Sequence, residues 1–479
     1  MSGPTGSSTR WAVGSFGSSP CSTADATSRT SWPGGFCADQ GAGNLERGLS
    51  WRAPLCRIDR PAPPPTTGHN TSRFSRCQRF RGSHLVRPFD MREISTDPLR
   101  MHDIQGRPTV AEVSLGALRT NLRAARDLVG PGVKVLAVVK ADGYGHGAVA
   151  AARAFVEAGA AALGVSTVEE GTELRRAGVR GPVVVLGGAF PGEETAVVAG
   201  DLEVAVWTRA AAEALAAAAR AAGRMIGIHI KVETGMTRLG LDPADVGAFG
   251  AAVRELPGLS MAGVFSHFAS ADAVDTASAR AQVERFRAAV EALAAAGVRP
   301  AEVHLANSAA VLSAPAAHFT MVRPGIMLYG YAPAPHLRAQ ARLLPAMRLQ
   351  TRIAQTRRVA AGTPVGYAGT WLAARPSTIA VLPLGYADGY HRLASNRAQV
   401  LVRGRRAPVA GRVCMDHTMI DVTDAGEVRA GDPVVLFGSQ DGASIWADEL
   451  AGWVETIAYE VLTSVGKRVP RVYVDDFDA

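Results

Sequence analysis

From Pro108 onward the chain alternates short β-branched runs with alanine- and leucine-rich stretches at helical spacing. Thr109-Val-Ala-Glu-Val-Ser-Leu alternates like a strand with one covered face, and Leu118 to Val129 predicts a helix behind it. Eight apolar runs follow, at Val133–Val139, Ala161–Val165, Val183–Leu186, Leu202–Trp207, Met225–Val232, Ser260–Ser266, Val303–Leu305 and Phe319–Val322. Runs this short, apolar at successive positions, read as strands buried on both faces, as in a parallel sheet. The segments between them have helical ends. Ser166 with Glu169 predicts a capping box, and Gly178 a stop for the helix it opens. Val283, Phe286, Val290 and Leu293 form one apolar stripe before Gly297, and Ala210 to Ala222 also reads as helix.

Strand and helix alternating eight times predict an α/β fold: an eight-stranded parallel, TIM-like barrel. An open doubly wound sheet is the alternative, but no Gly-x-Gly-x-x-Gly follows a first strand. The strand near residues 109–114 is surplus to the barrel and is expected to pair elsewhere. Beyond about Arg342 the alternation stops. Arg348–Val359, Thr378–Leu384, Val400–Arg403, Ala407–Val413 and Val434–Phe437 read as strands, Ala447 to Thr463 as one helical stretch, and Val469–Val474 as a last strand. The domains expected are an extension over 1–101, a barrel over 102–342 and a C-terminal β-rich domain over 343–479, whose sheet takes in the surplus strand.

Composition changes the picture mainly at the N-terminus. The 479 residues carry a formal charge of +8, of which residues 1–100 contribute +6 from 13 arginines and 7 acids. The remainder is near neutral, so charge gives no reason to expect nucleic acid as a partner. Residues 1–101, rich in Gly, Ser, Pro and Arg and without persistent periodicity, predict disorder, or a working start at Met91 or Met101 downstream of the written one. Four of the five cysteines lie there, leaving Cys414 alone in the body, which suits a reducing cytoplasm. The longest stretch free of Asp, Glu, Lys and Arg, Val303–Val322, contains two histidines, an asparagine and a proline, so no membrane span is expected.

The polar residues that interrupt the barrel pattern fall at its strand ends. Lys140 closes the first run, Lys231 the fifth and His267 the sixth. His304 lies in the seventh with Asn307 and Ser308 after it, and Arg323 follows the eighth. The carboxyl ends of barrel strands carry the active site, and the last loops commonly hold a phosphate. Ser308 and Gly325 offer a hydroxyl and an unhindered N–H for one. No metal is expected, because the histidines lack carboxylate or thiolate ligands at usual spacing. A buried lysine, a phosphate site and a barrel together suggest pyridoxal 5'-phosphate held as a Schiff base, since burial lowers an amine's pKa and leaves it nucleophilic.

The segments Ala137-Val-Val-Lys-Ala-Asp-Gly-Tyr-Gly-His-Gly, Ile228-His-Ile-Lys-Val-Glu-Thr-Gly-Met-Thr-Arg-Leu-Gly, His304-Leu-Ala-Asn-Ser-Ala-Ala, Arg323-Pro-Gly-Ile-Met-Leu-Tyr-Gly and Val365-Gly-Tyr-Ala-Gly-Thr-Trp, in this order, resemble alanine racemase from about Thr109 to the C-terminus. The resemblance implies interconversion of L- and D-alanine by two bases, supplying D-alanine for cell-wall peptidoglycan. It makes Lys140 the cofactor lysine and Tyr367 the second base, reaching the site from the partner subunit of a homodimer. Tyr144, Ser308, Gly325, Ile326 and Tyr459 become phosphate contacts, His267 the histidine beside the ring, and Arg323 the residue facing the pyridine nitrogen. Arg238 and the Met415 backbone meet the substrate, Tyr386 belongs to a further segment at the mouth, and Lys231 is the lysine carbamylated in many members. Glu233 and Thr237 depart from a commoner aspartate and glycine. A racemase of another small amino acid such as serine, or a related decarboxylase, is the alternative. A decarboxylase would place a carboxylate where Arg323 stands.

Overall fold

The computed structural model describes residues 106–477, and the predicted extension over 1–101 lies outside them. Strand β1 (Val110–Ser114) leads directly into helix α1 (Leu115–Val129), which starts three residues before the helix predicted because the Ser114 hydroxyl accepts the Ala117 N–H at 2.9 Å. The barrel follows in strict order: β2 (Lys134–Val138), a single turn α2 (Lys140–Tyr144), α3 (Ala148–Glu157), β3 (Ala162–Val165), α4 (Val168–Arg176), β4 (Val183–Val185), α5 (Glu194–Ala199), β5 (Glu203–Val206), α6 (Arg209–Ala221), β6 (Ile226–Lys231), α7 (Val246–Arg254), β7 (Leu259–Phe265), α8 (Ala277–Ala295), β8 (Glu302–His304), α9 (Ser308–Ser313) and β9 (Met321–Val322). The eight runs read as strands are these eight, each paired in parallel with the next, and β9 closes on β2. Apart from Leu259, Ala262 and Val303, which are partly buried, their Val, Ile, Leu and Ala side chains are buried, as continuous apolar strands between a barrel interior and a helical shell require.

The cap of α4 falls one residue later than predicted. Thr167 and Glu170 form the capping box, and Ser166 lies outside it, giving its own N–H to the Glu170 carboxylate at 2.6 Å.

The C-terminal part comprises β10 (Met347–Arg352), β11 (Gln355–Val359), β12 (Pro364–Val365), β13 (Trp371–Leu372), β14 (Ser377–Leu382), β15 (Gln399–Val402), β16 (Arg405–Pro408), β17 (Thr418–Asp421), β18 (Pro433–Gln440), β19 (Ala443–Ile445), helices α10 (Ala447–Trp453) and α11 (Ala458–Ser464), and β20 (Arg471–Val474). The main sheet runs β16-β15-β18-β10-β1-β20, and a smaller one runs β11-β14-β17. The surplus first strand therefore does join the C-terminal sheet, antiparallel to β10 and parallel to β20. Arg348–Val359 is two strands in two sheets, because the chain passes between them at Ile353 and Ala354. Ala447–Thr463 is two helices, separated where Glu455 turns left-handed at φ 58°.

Candidate active site

Lys140 follows β2 and opens α2, in which Ala141, Asp142 and Gly143 all have left-handed dihedrals with φ between 53° and 59°. Its side chain is exposed in the barrel mouth, and the sequence expectation of a buried lysine is corrected to a lysine at an open rim ringed by protein groups. That partial enclosure, together with the Arg238 guanidinium, pulls its amine below the ordinary lysine value, while the Glu170 carboxylate pushes the other way.

The glycine-rich turn aims Tyr144 inward. Its ring is buried, stacked 4.7 Å from Tyr329 and 6.1 Å from half-buried Tyr459. A Cβ on Gly325 would lie 2.3 Å from the Tyr144 hydroxyl, so only glycine admits it there. Buried Ser308 opens α9, and its hydroxyl accepts the N–H groups of Gly325 at 2.8 Å and Met327 at 3.4 Å, with Ile326 between them. Three predicted residues from three loops thus converge on one spot rich in O–H and N–H donors.

Across the mouth, buried Arg323 meets no carboxylate among the described residues. It donates to the carbonyls of Ser266 (2.6 Å), His304 (2.8 Å) and Leu305 (3.2 Å), and to the imidazole Nδ1 atoms of His304 (3.1 Å) and His267 (3.3 Å). Burial pulls it down to about 9, so it remains a cation at neutral pH. Burial, then the charges of Arg323, Lys231, Arg238 and Lys140, hold His267 far below its ordinary value.

Lys231 ends β6 and is 5% exposed, its Nζ lying 4.7 Å over the Phe265 ring. Among the described residues it forms no ion pair, and burial, Arg323 and Arg238 pull its amine down to about 7 against Glu233. Glu233 accepts the N–H groups of Gly235, Met236 and Arg238, so the glutamate shapes the turn that carries Arg238. Thr237 lies there at φ 56°, a conformation natural to glycine and strained for a β-branched residue.

Other predicted residues do not reach this cluster within one chain. Tyr367 is 70% exposed on the turn between β12 and β13, with neighbouring Ala368 left-handed, and among the described residues no hydrogen bond or ring contact ties it to the barrel. Exposed Met415 and Tyr386 are joined through backbone bonds, Tyr386 N–H to Cys414 O and Ala387 N–H to Met415 O, both at 3.0 Å. The sequence reading missed Glu203 and His229, which lie behind Arg323, and Glu170. The signal for His229 was its place two residues before Lys231 in a strand, which puts both on one face.

The cluster fits pyridoxal phosphate: hydroxyl and N–H donors around a glycine that leaves no room for a side chain, facing an amine and a guanidinium that has no carboxylate partner among the described residues. Among the described residues no group of three or more metal-ligating side chains is placed to hold an ion.

Residues 113–333 match the family model for the alanine racemase N-terminal domain, and residues 346–473 that for the C-terminal domain. The alanine racemase of Symbiobacterium thermophilum is 48% identical over 372 residues, covering 78% of this chain and 98% of that protein. That of Desulfovibrio desulfuricans is 44% identical over 369 residues, covering 77% and 99%. Among solved structures, alanine racemase from D-cycloserine-producing Streptomyces lavendulae aligns with a TM-score of 0.74 at 39% identity, covering 78% of this chain and 98% of that one. The Bacillus anthracis alanine racemase with bound L-Ala-P aligns at 0.73 and 34%, covering 78% and 96%.

Proposed function

The chain belongs to the alanine racemase family, and from that premise we propose that Lys140 and Tyr367 are its two bases, brought together by two copies of the chain. It is an isomerase that interconverts L-alanine and D-alanine. When bound, pyridoxal phosphate supplies the electron sink that makes the α-C–H of an amino acid acidic enough to ionise. Tyr144, Ser308, Tyr459 and the backbone N–H groups of Gly325 and Ile326 would hold its phosphate, Lys140 its aldehyde carbon, and His267 the side of its ring. Arg238 and the Met415 backbone would orient the substrate carboxylate.

Racemisation needs a proton removed from one face of Cα and returned to the other. Lys140 Nζ, pulled below the ordinary lysine value by its partial enclosure and by Arg238, gives up its proton more readily than an ordinary lysine and is suited to one face. The Tyr367 hydroxyl is the group suited to the opposite face. The observation that carries the two-copy arrangement is its exposure: at 70%, with Met415 at 54% and Leu372 at 62% also open, the tyrosine stands on a surface its own barrel does not use. Arg323 would anchor the ring nitrogen without protonating it, since a guanidinium is a poor proton source. That favours return of the proton over transamination, and it argues against the decarboxylase alternative.

Tyr367→Phe separates the two bases. The expected result is racemisation slowed by a factor on the order of 10² to 10⁴. Lys140, still present, should continue to exchange the α-proton of one enantiomer with deuterated solvent. Full-rate racemisation in both directions would refute the pair, and loss of borohydride-reducible visible absorbance only in Lys140→Ala would separately mark the cofactor lysine.

A further inference from the structure

Behind Arg323, inside the barrel, lies a line of polar side chains that the reaction as proposed does not use. Glu203 starts β5, His229 lies in β6, and His304 ends β8. Glu203 Oε2 is 2.7 Å from His229 Nε2, His229 Nδ1 is 2.9 Å from His304 Nε2, and His304 Nδ1 is 3.1 Å from Arg323 Nη1. Both imidazoles are at most 1% exposed. The barrel is cut to fit them. A Cβ on Gly263 of β7 would fall 2.2 Å from His229 Nδ1, and one on Gly227 of β6 would fall 2.9 Å from Glu203 Cγ. Phe265 stacks on the His304 ring at 5.0 Å and 9°.

Counting protons fixes the direction of every bond in the line. Arg323 can only donate, so His304 Nδ1 accepts and the His304 proton sits on Nε2. That N–H donates to His229 Nδ1, which places the His229 proton on Nε2, where it donates to the Glu203 carboxylate. No other assignment keeps all three bonds between neutral imidazoles. Arg323's carbonyl partners are fixed by the backbone, so the imidazole acceptors are the ones a side chain can set.

We propose that Glu203 is a positioning residue for the racemisation, aiming Arg323 through His229 and His304. Without an acceptor at position 203, His229 is free to move its proton to Nδ1. His304 must then carry its own on Nδ1, facing the guanidinium N–H, and the two donors part. Glu203 thereby holds Arg323 in place while keeping its negative charge two imidazole rings away, where a carboxylate directly on the guanidinium would offset its cation beside the cofactor. The inference rests on the reading that Arg323 faces the ring nitrogen.

The test compares the wild type, Glu203→Gln and Glu203→Leu, with Arg323→Lys as control. Nitrogen-15 chemical shifts of the histidine rings, recorded without and with cofactor, report the tautomers. Conversion of bound cofactor to its pyridoxamine form during turnover, followed by absorbance, reports the aim of Arg323. Expected are Nε2–H on both histidines in the wild type and in Glu203→Gln, whose amide oxygen still accepts. In Glu203→Leu the His229 tautomer should be lost and pyridoxamine formation should rise about tenfold. A wild-type His304 protonated on Nδ1 overturns the proposal without any variant. So does a Glu203→Leu protein with unchanged tautomers and unchanged side reaction, or a Glu203→Gln protein as defective as Glu203→Leu. If Arg323→Lys leaves the side reaction untouched while the tautomers behave as expected, the failure belongs to the placement of Arg323 and not to the relay.

Discussion

Lys231 is a desolvated amine between two guanidiniums, and its stability effect has a definite sign. Its folded-state value is lowered from 10.5 to about 7, so the unfolded chain binds more protons than the folded one between those limits. Stability therefore rises with pH across this window, and the penalty is complete below about 7 and gone above 10.5. At ~1.4 kcal/mol per decade the full penalty approaches roughly 5 kcal/mol, an upper figure because the amine also lies over the Phe265 ring. Lys231→Met should remove it. In denaturant unfolding under CO2-free conditions, the variant should be more stable than the wild type at pH 6.5–7 (about the lower limit of the window), and the difference should shrink towards pH 10 (about the upper limit). The same shift leaves about half the amine neutral at pH 7, against ~3 × 10⁻⁴ for an ordinary lysine. A neutral amine adds CO2 to give a carbamate and a proton, placing an anion beside Arg238 and Arg323. Equilibration with 13C-bicarbonate should accordingly yield a carbamate carbon resonance that Lys231→Met lacks, and should stabilise the wild type alone. A wild-type-minus-variant difference that is flat with pH, with no carbamate signal, would refute the reasoning.

Two further outcomes follow from packing. Gly325→Ala forces a methyl into the place of the Tyr144 hydroxyl, 2.3 Å away, and should weaken cofactor binding roughly 10- to 100-fold, the worth of one charge-assisted hydrogen bond; an unchanged Kd in fluorescence titration of the apoprotein would place that hydroxyl outside the phosphate site. Glu112, 6% exposed, pairs with Arg348 across β1 and β10, so Glu112→Leu strands a largely buried guanidinium and should cost about 3–5 kcal/mol in thermal or denaturant unfolding, recovered in part by adding Arg348→Met. A loss below about 1 kcal/mol would show that solvent already serves Arg348.

The barrel was legible because a strand covered on both faces leaves an unbroken apolar run, and Lys140 and Arg323 stood out as charges directly after such runs. The C-terminal part was harder to read for physical reasons. Its strands are short and divided among several sheets, and β17 (Thr-Met-Ile-Asp) is half polar and went unnoticed. The break between α10 and α11 rests on one left-handed glutamate, which no helical periodicity reveals. Glu203 and His229 were hidden for a different reason: inward positions of a parallel strand are expected to be apolar, and polarity there becomes intelligible only once β5, β6 and β8 are seen to bring their partners within bonding distance. Ser166 and Thr167 are both competent caps, and only the path of the Glu170 side chain chooses between them.

The turn after Lys140 shows why the barrel does not complete its site alone. Ala141, Asp142 and Tyr144 are left-handed without being glycine, at a cost of roughly 1–2 kcal/mol each. On the barrel's own side, Glu170 accepts the Ala141 N–H at 2.7 Å, and the Asp142 carboxylate accepts the Ala148 N–H at 2.8 Å. The outer side of the turn is held from the far end of the chain. Arg471 in β20 donates Nε–H to Gly145 O at 2.9 Å, while Leu462 O and the Tyr473 hydroxyl stand 2.2 and 2.0 Å from where Cβ atoms on Gly145 and Gly147 would be. The glycines of this turn thus admit the C-terminal segment, which packs against the loop that orients Lys140 and Tyr144. A barrel cut before residue 345 would lose these braces and keep the strain, so the turn that carries Lys140 and Tyr144 depends on the C-terminal part of the chain.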